Sequence, residues 1–66
     1  MMVEVQERAG RRPIDLPEGA LVADLAIAVG VNLESAIFLI GGRPAPTDTV
    51  LREGDSVRVV SAVSGG

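Results

Sequence analysis

The chain contains no cysteine, no histidine and no lysine, and Phe38 is its single aromatic residue. Each absence removes a class of function. Without cysteine there is no disulfide, and without cysteine or histidine there is no ordinary zinc site. The four serines have no histidine, lysine or cysteine in the chain to act as a base, which removes the common hydrolase constellations. The net charge is −3 and all six cations are arginines dispersed along the sequence. Nucleic-acid binding needs a concentrated basic face or aromatic stacking platforms, so no direct nucleic-acid partner is expected.

Long hydrophobic runs are missing as well. The longest uncharged stretch, Leu25 to Leu33, is nine residues, against the ~18 or more that a membrane-spanning helix requires. No basic-then-apolar leader opens the sequence, so a cytoplasmic location and no membrane partner are expected. At 66 residues the chain makes one small domain, of a size whose core supplies only about 3–5 kcal/mol. It has no room for a deep active site, and it is not expected to be an enzyme.

What is present is pattern. Val3-Glu4-Val5-Gln6-Glu7-Arg8 alternates apolar and polar residues, and Arg12-Pro13-Ile14-Asp15-Leu16 resumes a looser alternation after Ala9-Gly10-Arg11. This predicts a β-hairpin with its turn at the glycine. Pro13 offers no N–H to a ladder and belongs where that group would face solvent. Val22, Leu25, Ala26 and Val29 follow at helical spacing, with Asp24 in the first turn and Gly30 at the end. The helix start near Ala20 or Leu21 has no serine or threonine to cap it.

Ala36-Ile37-Phe38-Leu39-Ile40 is apolar at every position and ends at Gly41-Gly42, so it reads as a strand of undefined parity. Arg43 to Asp48 is a turn or short irregular edge, and Arg52-Glu53-Gly54-Asp55 is a turn before the last strand, Ser56 to Ser61. One helix covers only one face of such a sheet. Val57 and Val59 suit the helix side. Arg58 and Val60 then point outward, together with two large residues from the Ile37 to Ile40 run, of which Phe38 is assigned to this docking face.

Two groups invite a chemical role and do not hold one. Asp48, Glu53 and Asp55 lack the spacing of a calcium loop. Gly41-Gly42-Arg43-Pro44 lacks the lysine, third glycine and following helix of a phosphate loop. The remaining chemical asset is the carboxylate after Gly65-Gly66, which no Cβ crowds.

The order ββαβ(β)β, "GGRPAP", "TDTVLREGDSVRVV" and the terminal "SGG" resemble the ubiquitin-like sulfur carriers of the β-grasp fold. That group includes the thiamine and molybdopterin carriers, the archaeal small modifier proteins and the bacterial tRNA-thiolation carriers, and "GRPAP" with "SAVSGG" is nearest to the last two. The resemblance implies an α+β β-grasp domain over residues 1–62, with one main helix on a mixed sheet of four or five strands. Residues 63–66 are then a flexible tail.

It also implies a mechanism. An E1-like activating enzyme, using ATP and Mg²⁺, adenylates the carboxylate of Gly66, with Ser64 and Gly65 recognised in the tail. A sulfur donor of cysteine desulfurase or rhodanese type converts it to a thiocarboxylate, and the carrier, a monomer when alone, delivers sulfur to an acceptor synthase. No cofactor is bound by the carrier itself. Arg58, Val60 and Phe38 would face the activating enzyme. The alternative is a modifier joined through Gly66 to lysines of target proteins, and a third possibility is a passive interaction domain. Which acceptor pathway is served, among tRNA thiolation, molybdopterin and thiamine synthesis, stays open.

Overall fold

The computed structural model describes residues 1–61, with side chains through Val60. Five strands, β1 (Met2–Glu7), β2 (Gly10–Asp15), β3 (Ala36–Ile40), β4 (Arg43–Pro44) and β5 (Ser56–Ser61), form one sheet in the order β2-β1-β5-β3-β4. The central pair, β1 and β5, is parallel, and every other pair is antiparallel. One helix, α1 (Val22–Val29), packs on one face. This is the mixed sheet with a single helix that the resemblance implies.

Alternation in β1 sends Val3 and Val5 into the core, and Val57 does the same from β5. Val22, Leu25 and Ala26 meet them from the helix, and Leu16, Ala20 and Leu51 close the ends from the connections. Fully burying a Val, Leu or Phe side chain is worth about 1.5–3 kcal/mol, so these few residues carry the stability of so small a domain.

The uncapped helix start is solved from a distance. Leu21 precedes the helix and offers no side-chain acceptor. The N–H groups of Val22 and Ala23 instead donate to the carbonyls of Thr49 and Thr47, at 3.0 and 2.9 Å. Asp24 accepts from the Leu21 N–H at 2.8 Å, and its charge lies at the positive end of the helix dipole. At the other end Gly30 adopts φ 78°, and its N–H and that of Val31 reach back to the last turn, as a glycine-terminated helix requires.

Two details differ from the sequence expectation, and a third resolves an alternative it left open. The first hairpin turns at Arg8-Ala9, where Glu7 pairs with Gly10, so β2 begins two residues earlier than the alternation suggested. Gly10 permits this with φ 135°. The link after α1 contains a 3₁₀ turn, Leu33–Ser35, whose Glu34 N–H donates to Asn32 Oδ1 at 2.9 Å. The segment Arg43-Pro44 is a short edge strand, folded onto β3 by Gly41 and Gly42, both at positive φ.

Candidate functional site

The face of the sheet opposite α1 is open. Strand register places its residues in rows across the strands. Arg11, Gln6, Arg58 and Leu39 form one row, through the pairs Gln6 with Arg11, Gln6 with Arg58 and Leu39 with Arg58. In the adjacent row Val60 stands opposite Ile37. Val60 is 39% exposed and Ile37 49%.

Arg58 and Val60 lie on the open face as their parity requires, and both are exposed. Phe38 does not. It is 2% exposed, pairs with Val59 in the ladder and sits in the core, so its assignment to the docking face is corrected. The physical reason is register: Phe38 shares a face with Ala36 and Ile40, which pack toward the helix, and the alternate positions Ile37 and Leu39 take the outward places. An all-apolar strand does not announce this parity; pairing with the unambiguous Val57-Arg58-Val59-Val60 pattern does.

The polar members of the face are tied to one another. Gln6 Nε2 donates to Ser56 Oγ at 2.8 Å and to Glu4 Oε1 at 3.2 Å, and Ser56 Oγ donates to the same Glu4 oxygen at 3.1 Å. The Glu4 carboxylate is thereby held within the sheet surface between β1 and β5. The β1 alternation already marked Glu4 and Gln6 as outward, but only the parallel pairing with β5 reveals that Ser56 completes the cluster.

Two of the three carboxylates weighed earlier as a cation site are tied to backbone donors. Asp55 Oδ2 accepts from the Arg52 N–H at 2.9 Å, and Glu53 accepts from the Met2 N–H at 3.1 Å. Among the described residues, no group of three His, Cys, Asp or Glu side chains is placed to hold a metal ion, and no helix is long and apolar enough to cross a membrane. Ser64, Gly65 and Gly66, the proposed tail site, lie outside the described residues.

The fold has close counterparts among solved structures. SAMP1 from Haloferax volcanii superposes with a TM-score of 0.80 at 19% identity, with both chains covered completely. The ubiquitin-like domain of an Arabidopsis thaliana protein gives 0.79 at 10% identity, covering 100% of this chain and 81% of the other. These likenesses establish the ubiquitin-like β-grasp fold. The family model for small archaeal modifier protein 2 (SAMP2) matches residues 1–63, nearly the whole sequence. A five-stranded sheet gripping one helix and a match running from the first strand to beyond the last lead to one assignment: the chain belongs to the small archaeal modifier protein 2 family of ubiquitin-like small modifiers.

Proposed function

We propose that this small modifier acts as a sulfur carrier whose reactive group is the carboxylate of Gly66. An E1-like enzyme binds ATP and Mg²⁺, and the Gly66 carboxylate attacks the α-phosphorus and releases pyrophosphate. A persulfide sulfur then displaces AMP from the acyl-adenylate. Cleavage of the S–S bond of the acyl persulfide by a thiol leaves the thiocarboxylate, which a biosynthetic enzyme consumes as its sulfur source.

The observation that supports this reading best is the family match over residues 1–63, taken with Ser64-Gly65-Gly66 following two residues after β5 in the sequence. Glycine suits the role chemically. It has no Cβ to crowd the acyl carbon and admits backbone conformations that a narrow nucleotide cleft imposes. The open face carrying Arg58, Val60, Ile37 and Leu39 is the surface for the activating enzyme in this reading.

The test is mass spectrometry after incubation with an E1-like enzyme, ATP, Mg²⁺ and a persulfide donor. Replacement of one oxygen by sulfur, mapped to the C-terminal peptide, is the expected outcome. Sulfur found elsewhere, or an unchanged mass with an enzyme active on a control carrier, would overturn it. Conjugation to lysines starts from the same adenylate, and the family's description as modifiers favours keeping it as a second reading. A Gly-Gly remnant on lysines of cellular proteins distinguishes it.

A further inference from the structure

The geometry points to a cationic cleft on the open face that seats an acidic segment of a partner protein, the activating enzyme in the reading above. The proposal rests on that reading only for the identity of the partner. Gln6, Arg8, Arg11, Arg58 and Val60 line a cleft of about 580 Å³ together with Glu7 and neighbouring backbone. This concentration is unexpected in a chain of net charge −3.

The register places two of the arginines: Arg11 and Arg58 flank Gln6 in one cross-strand row, and Arg8 reaches the same cleft from the hairpin turn. Neighbouring strands lie about 4.8 Å apart, which sets the main chains of Arg11 and Arg58 about 10 Å apart. The nearby carboxylates are already engaged. Glu7 lies 3.9 Å from the Arg12 guanidinium, and one Glu4 oxygen accepts from Gln6 and Ser56. Among the described residues, Arg8, Arg11 and Arg58 have no ion pair, and all three are exposed.

Two arginines rooted about 10 Å apart have the reach to meet one anion or two, and alternate side chains of an extended segment, repeating every ~6.6–7 Å, bring two carboxylates to the two planar donor forks. Val60 and Ile37 adjoin the row and give such a segment apolar contact that a free anion does not use. Val60 is also the penultimate residue of β5, so a partner seated here meets the end of the strand from which the sequence runs on to Gly66.

The deciding experiment is an amide-resolved NMR titration of the full chain with a hexapeptide alternating glutamate and leucine, beside a second titration with inorganic phosphate. The peptide is expected to shift the amides of Gln6, Arg8, Arg11 and Arg58, and the double variant Arg11→Glu/Arg58→Glu, its fold verified by circular dichroism, is expected to lose those shifts. Phosphate producing the same shifts, or the peptide affecting Arg43 and Arg52 equally, overturns the proposal. In a parallel ATP–pyrophosphate exchange assay with an E1-like enzyme, the double variant is expected to raise KM for the carrier about tenfold with kcat unchanged, and Arg→Lys at both positions to recover part of the loss. Unchanged KM with an active wild type removes the partner assignment while activation at Gly66 stands. Absence of exchange with wild type removes the activation reading, and the peptide titration still decides the cleft.

Discussion

Ile37 stands directly opposite Val60 in the antiparallel ladder between β3 and β5, and both side chains are open to solvent on the face away from the helix. One position along, the pair Phe38 and Val59 points the other way, into the core side. The two faces are separated by a single step of register. Val60→Glu therefore adds a charge where water can solvate it, and its melting temperature is expected to stay within a few degrees of wild type while partner binding weakens. Val57→Glu puts the same charge at a position with 0% exposure, at a cost of several kcal/mol that exceeds the roughly 3–5 kcal/mol available to a domain this small. Circular dichroism melts of the two variants check the register directly; a folded Val57→Glu beside an unfolded Val60→Glu would contradict it.

The parts of the fold that the sequence made legible are those where neighbouring residues disagree in polarity. Val3-Glu4-Val5-Gln6 and Val57-Arg58-Val59 each state which face is which, and Val22, Leu25 and Ala26 state the helix stripe; all of these residues lie where their patterns place them. Ala36 to Ile40 offers no such contrast, so nothing in the strand itself tells that Phe38, its largest apolar residue, faces the core. The helix start was opaque for a different cause. Its donors are satisfied by the carbonyls of Thr47 and Thr49, more than twenty residues away, and main-chain acceptors leave no mark in side-chain identity. Leu16 and Leu51 are buried from connections, where periodicity carries no signal.

Pro13 guards the free edge of the sheet. The Glu4 N–H donates to Asp55 on the β5 side at 2.8 Å, so the facing pair Glu4 and Pro13 exchanges no hydrogen bond, and the proline nitrogen lies on the outer side of β2. The missing donor costs the native ladder nothing and interrupts the row of donors that another strand would use. Pro13→Val restores that donor on an exposed edge. Sedimentation equilibrium is expected to show stronger concentration-dependent association for the variant than for wild type, and equal behaviour of the two would show that the edge is protected by other means.

The fold and the tail are expected to be separable. Among the described residues the buried core runs from Val3 to Val57, and cutting the chain after Ser64 removes none of it. The melting temperature of the truncated chain is expected to match wild type within about 2 °C, since a ΔΔG of 1 kcal/mol already shifts a domain of this size by about 4–8 °C. Adenylation in the exchange assay is expected to vanish. A marked loss of thermal stability would instead mean that Gly65 and Gly66 contribute to packing.

Lysine is absent, and that fixes the form of any protein adducts. An isopeptide bond forms when an amine that has lost its proton attacks an activated acyl group. The ε-amine of lysine reaches that state, whereas the guanidinium of arginine stays protonated near neutral pH and is a poor nucleophile. All six cationic side chains here are arginines, so one copy attached to a target offers no side-chain amine to the next. If the modifier is conjugated through Gly66, each target lysine is therefore expected to carry a single copy, and a target with several lysines to show a ladder of independent single additions. The decisive sample is a target reduced to one lysine, treated with a carrier whose α-amine has been blocked. Intact-mass measurement is expected to show one added domain mass and no second step. A second addition on that target would mean that a group other than an amine accepts the acyl chain.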